Sequence, residues 1–292
     1  MRKEYNMLDL LDNLKPRKDY LICIDSDGCV INGMTAKHVK CFGPGIVEVF
    51  SLEEYKEDIL SYWNKLNLYS RTRGVNRFPG LAMALEYAVE KGYLKMDISE
   101  LVQWITTTGE LSNGSLDAWI EKRKKEKQAV PTCLTLAREW SLWVNRHVAE
   151  LSLTDKQAFR GAKKGIKRAK QSANVVVVSS ANRGAVEEEW ENNQLINDVD
   201  LLMTQEYGSK ASCLKQLKGT GYGKDCILMV GDALGDMQAA KDTGVLFYPI
   251  LPGQEEESWK VFSEEILPDF LAGRYRGKGM EGWQKKMLEL LQ

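Results

Sequence analysis

The sequence predicts an α/β protein with a doubly wound parallel sheet and an inserted all-helical domain. Three observations predict it. Five short apolar runs are bounded by turn signals, helical patterns alternate with those runs from about residue 153 onward, and residues 34–152 carry helical patterns alone. Runs of this length that are rich in Val and Ile are typical of strands buried on both faces of a parallel sheet.

The first apolar run is "YLICI", and the other four follow residue 153 as "NVVVVSS", "VDLLMT", "CILMVGD" and "GVLFYPI". Between them lie the helical patterns "RGAVEEEWENN", "SKASCLKQLK" and "LGDMQAAKDTG". Connections between parallel strands are right-handed, so this alternation predicts a doubly wound core domain formed by residues 1–33 and 153–292.

Residues 34–152 have a different pattern. Five amphipathic helices are predicted there: "LEEYKEDILSYWNKLN", "PGLAMALEYAVEKG", "DISELVQWITTT", "SLDAWIEKRKKEKQ" and "LTLAREWSLWVNRHVAE". In the last of these, one helix face collects the large side chains Trp140, Trp143, Val144, His147 and Val148. The stretch is predicted to be a helical domain inserted after the first strand.

Composition limits the partners. The 292 residues include 40 basic and 41 acidic side chains, so the charge balance favours a small-molecule partner over nucleic acid or an anionic membrane. Six scattered cysteines without a C-x-x-C pair, together with the lack of an apolar leader or membrane span, predict a cytoplasmic protein. With only two histidines, any metal is expected to be held by oxygen. The sequence does not indicate the oligomeric state.

Polar residues follow the predicted strands, where ligands of doubly wound sheets bind. Three carboxylates gathered there would repel one another, and Mg²⁺ with its preference for oxygen ligands would offset that repulsion. Lysine and serine side chains would suit a phosphoryl group beside the ion. The residues concerned are Asp25, Asp27, Ser179, Ser180, Lys210, Asp232 and Asp236.

The stretches "ICIDSDGCV", "VVVVSSAN", "GSKASCLKQL" and "ILMVGDALGDMQAA" resemble, in order, the four motifs of the haloacid dehalogenase superfamily. The resemblance covers about half the chain, and the inserted segment looks like the α-helical cap that this family places between its first and second motifs. Taken singly, Asp236 also fits a helix N-terminus, Lys210 a solvated lysine and Ser179 a core hydroxyl. Their joint order favours the functional interpretation.

The resemblance implies that Asp25 is a nucleophile that forms an aspartyl phosphate and that Asp27 is the general acid and base. It implies that Ser179 binds a transferring oxygen and that Lys210 offsets the negative charge. Ser180 is expected to contact substrate. The implied Mg²⁺ ligands are Asp25, Asp232 and the backbone carbonyl of Asp27, with Asp236 completing or orienting the shell.

The segment "YSRTRGVNRFPG" places Arg71, Arg73 and Arg77 around a glycine, between two predicted helices. A solvated loop is one interpretation. The other is that one of these arginines binds the non-reacting part of the substrate, since a guanidinium suits carboxylate and phosphate.

The sequence therefore predicts a Mg²⁺-dependent phosphatase acting on a small phosphorylated metabolite. A phosphomutase would use the same residues, and a non-catalytic ligand-binding or regulatory protein would keep the same fold. The identity of the substrate is not encoded in any motif that we can interpret.

Overall fold

The computed structural model describes residues 18–223 and 225–292, and these residues form two compact units. The α/β unit comprises the described residues up to Met34 together with Leu153–Gln292, and the helical unit comprises Thr35–Ser152. The expected lack of a leader segment concerns residues 1–17, which lie outside the described residues.

The helical unit is built from amphipathic helices around buried aromatic side chains. A short helix α1 and a π-helical turn at His38–Phe42 lead into α2, and all five predicted helices follow. Trp63, Trp104 and Trp140 are completely buried between them. The bounds are α1 (Met34–Lys37), α2 (Gly43–Val49), α3 (Lys56–Leu68), α4 (Arg77–Glu90), α5 (Ser99–Thr107), α6 (Asn113–Lys125) and α7 (Thr132–Ala149), with a 3₁₀ turn at Glu53–Tyr55.

The α/β unit contains one five-stranded parallel sheet in the order β3-β2-β1-β4-β5, which confirms the predicted doubly wound sheet. Each strand corresponds to one predicted apolar run. The central strand β1 pairs on one side with β2 and on the other with β4. The bounds are β1 (Tyr20–Ile24), β2 (Ala173–Val178), β3 (Leu201–Met203), β4 (Ile227–Gly231) and β5 (Leu246–Pro249).

Helices cover both faces of this sheet. Successive strand residues point to opposite faces, so Ile22 and Ile24 join one apolar cluster while Leu21 and Cys23 join the other. The helices are α8 (Ala162–Ser172), α9 (Arg183–Asn192), α10 (Lys210–Lys218), α11 (Leu234–Thr243), α12 (Glu255–Val261), α13 (Leu267–Leu271) and α14 (Lys278–Leu290), with a π-helical turn at Phe262–Ile266 and 3₁₀ turns at Leu153–Lys156, Ile196–Asp198 and Gln205–Tyr207.

The C-terminal helices pack on this core. Trp283 of α14 meets Tyr248 of β5 edge to face, with ring centroids 5.4 Å apart, and Met287 is fully buried. All six cysteines are free thiols. Across residues 18–223 and 225–292, no helix is both long and apolar enough to cross a membrane.

Candidate active site

Three buried carboxylates meet beyond the ends of two neighbouring strands. Asp25 follows β1, Asp232 follows β4, and Asp236 lies in the first turn of α11. Ile24 pairs with Val230, so the residues that leave the two strands emerge side by side. One carboxylate oxygen from each of the three aspartates lies within 4.8 Å of the others, and none of the three residues is more than 6% exposed. We call these residues the acidic cluster.

Lys210 is the cation of this cluster. Ser209 caps α10 by accepting a hydrogen bond from the Ser212 amide, which places Lys210 at the first helical position. Its Nζ lies 2.9 Å from Asp25 Oδ1 and 2.5 Å from Asp236 Oδ1. One lysine against three carboxylates leaves a surplus of negative charge in a buried space.

The pKa values of the site reflect that surplus. Burial raises the pKa of Asp25 well above its ordinary range, and the nearby Asp236 and Asp232 raise it further, while Lys210 acts in the opposite direction. Burial alone would lower the pKa of Lys210, but Asp236 and Asp25 outweigh it and hold the pKa above its ordinary value. Lys210 is therefore a fixed positive charge, and a further cation would favour the ionised form of Asp25.

The donor set fits Mg²⁺. Hard divalent cations prefer carboxylate and carbonyl oxygens, and the acidic cluster offers buried carboxylate oxygens at close range. Asp236 already has partners for both oxygens, because Oδ2 accepts the Ala233 amide at 3.1 Å and Oδ1 accepts Lys210. This geometry favours Asp25 and Asp232 as direct ligands and Asp236 as the residue that positions Lys210 and the turn.

Asp27 lies on the tight turn that follows β1. Gly28 adopts a left-handed φ of 86°, a conformation that favours glycine, and the amides of Val30 and Ile31 both donate to the Ser26 carbonyl. Asp27 is half-buried, whereas Asp25 is buried. The turn thus separates a buried residue from a partly exposed one, although Oδ1 of Asp27 is itself buried.

The two serines after β2 differ in their surroundings. Ser179 is buried, and its Oγ accepts the Ala181 amide at 3.2 Å, which leaves its O–H as a donor. Ser180 is exposed. Since β2 pairs with β1, Ser179 follows the strand next to the one that carries Asp25.

The three arginines of the helical unit have three different environments. Arg71 is exposed, whereas Arg73 is buried and its Nη1 donates to the Leu68 carbonyl at 2.8 Å. Arg77 is half-buried at the first position of α4. The expected loop therefore ends earlier than predicted, because the Asn76 side chain caps the helix by accepting the Phe78 amide at 3.0 Å. Substrate binding by any of the three arginines stays a prediction.

Two supporting residues were not identified from the sequence. A Cβ atom at Gly231 would lie 2.4 Å from Asp236 Cγ, so only glycine leaves room for that carboxylate. The adjacent G-D pair is a usable signal for such a close approach. Trp190 Nε1 donates to Ser26 Oγ at 2.8 Å and fixes the turn between Asp25 and Asp27. Because 164 residues separate Trp190 from Ser26, no local sequence pattern indicates this contact.

Residues 110–250 match the family model described as haloacid dehalogenase-like hydrolase. The match includes Ser179, Lys210, Asp232 and Asp236, and it starts after the strand that carries Asp25. A search of curated proteins found no match.

Solved structures with a similar chain fold were also found. A candidate phosphoglycolate phosphatase from Lactobacillus delbrueckii subsp. bulgaricus is 15% identical, with 80% of this chain and 86% of that chain covered and a TM-score of 0.49. A candidate β-phosphoglucomutase from Thermotoga maritima is 15% identical, with 84% and 99% covered and a TM-score of 0.47. A haloacid dehalogenase-like family hydrolase from Streptococcus pneumoniae is 13% identical, with 84% and 91% covered and a TM-score of 0.44.

Proposed function

We propose that this chain is a haloacid dehalogenase-like hydrolase, as the match over residues 110–250 supports, and that it hydrolyses phosphate monoesters of small metabolites through a phosphorylated Asp25. The observation that carries the proposal is the acidic cluster with Lys210 bound to it. A buried carboxylate held by a fixed ammonium, beside further oxygen ligands for a cation, is the arrangement that phosphoryl transfer needs.

Asp25 supplies the nucleophilic oxygen. Its carboxylate attacks phosphorus as the ester oxygen leaves, and an aspartyl phosphate forms. Lys210 holds Asp25 in one orientation through the 2.9 Å contact, so little reorganisation is needed at the moment of attack. Ser179 donates its O–H to an oxygen of the transferring group.

Asp27 acts as the general acid in the first step and as the general base in the second. Its carboxylic acid protonates the departing alkoxide in the first step. As a carboxylate it then takes a proton from the water that attacks phosphorus, which releases inorganic phosphate and returns both aspartates to their starting states. Its half-buried position supports this role, because a group that exchanges protons with a leaving group and with water needs access to both.

Mg²⁺ would be held by Asp25, Asp232 and the main chain of Asp27, and it would supply positive charge to the phosphoryl oxygens and to the carboxylates around them. Asp236 would position Lys210 and the first turn of α11. We further propose that residues 34–152 act as the substrate-selecting cap and that the protein is cytoplasmic. A formal net charge of −1 provides no field that would collect nucleic acid, which favours a small molecule as the partner.

The experiment is a screen of phosphorylated metabolites with and without Mg²⁺, run in ¹⁸O-water. The proposal predicts inorganic phosphate that contains one solvent oxygen, and only when Mg²⁺ is present. An isomerised substrate without phosphate release would identify a phosphomutase instead. If no phosphorylated compound reacts while some bind, the chain would be a ligand-binding protein.

A further inference from the structure

Arg77 is a half-buried cation whose partners among the described residues are neutral. Its guanidinium carbon lies 5.2 Å from the centroid of the Phe42 ring, over the ring face. Nη1 donates to Ser141 Oγ at 3.1 Å and to Asn145 Oδ1 at 2.7 Å, with a longer contact to the Ser141 carbonyl at 3.5 Å. We call Arg77, Phe42, Ser141 and Asn145 the Arg77 cluster. All four residues belong to the helical unit.

Two other arginines of the same unit are paired with acids. Arg138 makes a two-pronged contact with Asp117 at 2.6 and 2.8 Å, and Arg123 pairs with Glu100. Within the described part of the chain, no carboxylate comes within ion-pair distance of Arg77. Burial lowers the pKa of Arg77, which is the expected response of a cation without a counter-ion. Neutral hydrogen bonds offset only part of the cost of burying such a charge.

The unused hydrogen-bond donors of Arg77 indicate the kind of ligand that fits it. The three hydrogen bonds to described residues all come from Nη1, so Nε and Nη2 have no acceptor among them. These two N–H groups form one parallel edge of the guanidinium plane, which binds carboxylate or phosphate through paired hydrogen bonds. Ser141 is fully buried and anchors Nη1, whereas Asn145 is exposed, so the cluster is open to solvent at one end.

We propose that the Arg77 cluster is an anion-binding site that takes a carboxylate or phosphate group on Nε and Nη2. Two sources share this chemistry. The anion is either a second acidic group of the substrate, which rests on the proposed phosphatase function, or a separate anion that acts as an effector. Anion binding at the Arg77 cluster does not depend on which of these two sources supplies the anion.

Binding is tested directly on the guanidinium by NMR of protein labelled with ¹⁵N-arginine, with the Nε–H signal of Arg77 assigned from its loss in Arg77→Gln. Titration with sodium phosphate and with sodium acetate should shift this signal saturably. Arg146 is an exposed arginine on α7, one residue beyond Asn145, and its signal is the matched control. An Arg77 signal that shifts no more than that of Arg146 would overturn the proposal.

The two sources are distinguished by kinetics. If the anion belongs to the substrate, Arg77→Gln should lower kcat/KM for a phosphorylated carboxylic acid by roughly tenfold to a hundredfold and leave p-nitrophenyl phosphate nearly unchanged. If it is an effector, acetate should alter wild-type turnover of p-nitrophenyl phosphate but not that of Arg77→Gln. Arg146→Gln should behave as wild type in both assays.

The binding measurement does not depend on turnover, so it decides the proposal even if the chain is not a phosphatase. Saturable binding with no kinetic effect would keep the site and assign it to a ligand outside catalysis. Thermal unfolding of Arg77→Gln and Arg77→Lys controls for folding. Arg77→Lys keeps the positive charge but lacks the two parallel N–H groups of the guanidinium. It should therefore bind phosphate more weakly than wild type and more tightly than Arg77→Gln.

Discussion

Gly231→Ala is expected to disable the site by steric displacement alone. The added Cβ would lie 2.4 Å from Asp236 Cγ and 2.6 Å from Asp236 Cβ, whereas ordinary contacts begin near 3.4 Å. Asp236 must therefore move by about 1 Å. Because its Cβ is also too close, a side-chain rotation cannot relieve the overlap, and the backbone of β4 or α11 has to shift.

That shift separates Asp236 from the Ala233 amide and from Lys210, and so disturbs the group that holds Asp25. Overpacking of this kind costs roughly 1–3 kcal/mol of stability. A misplacement of about 1 Å in a catalytic site lowers the rate by about a hundredfold. We expect losses of those sizes in urea unfolding and in kcat/KM for p-nitrophenyl phosphate.

Gly235→Ala is the matched control. It makes the same chemical change four residues later, at an exposed position in α11 where an added Cβ meets nothing within 4 Å. Alanine is favoured over glycine in a helix by up to about 1 kcal/mol, so this variant should be active and slightly more stable. If Gly231→Ala kept activity within a few-fold of Gly235→Ala, the close packing of Asp236 against the end of β4 would not be needed for catalysis.

Three further results are expected. Asp27→Asn should slow turnover of an alkyl phosphate by about a hundredfold to ten-thousandfold, because an amide cannot transfer the proton; a rate near wild type would exclude the role. Lys210→Met should lower the free energy of unfolding in EDTA by roughly 3–5 kcal/mol, because it leaves buried carboxylates without their cation, and Mg²⁺ should restore part of the loss; an unchanged urea midpoint would contradict this. EDTA should abolish wild-type activity. Mg²⁺ should raise the urea midpoint of the wild-type protein more than that of Asp232→Asn, because the variant lacks one ligand. Equal increases in the two midpoints would show that Asp232 is not a ligand.

The sheet was predictable from the sequence because each strand is a short apolar run that is buried on both faces. Helix α2 was not predicted, since its sequence "GPGIVEV" contains two glycines and a proline, which are poor helix formers. Tertiary packing overrides that preference. A Cβ at Gly45 would lie 2.7 Å from the Trp143 ring, so the glycine allows the close approach that buries this helix against α7.

The residues of the candidate site also differ in how far the sequence predicts their positions. The alignment of Asp25 with Asp232 follows from strand order, because residues that leave neighbouring parallel strands emerge together. The contacts of Lys210 with Asp25 and Asp236 depend on where α10 begins relative to the sheet, and no local pattern specifies that distance. The environment of Arg77 depends on Ser141 and Asn145, more than 60 residues away along the chain.

The most direct test of the central claim is to locate the phosphoryl group on the enzyme during turnover. After rapid acid quench of wild-type protein with p-nitrophenyl phosphate and Mg²⁺, peptide mass spectrometry should find a hydroxylamine-labile phosphoryl group on Asp25. Asp27→Asn should accumulate more of it, because its release is slowed, while Asp25→Asn should carry none and be inactive. Sustained turnover with no label on Asp25, or wild-type turnover by Asp25→Asn, would contradict the account.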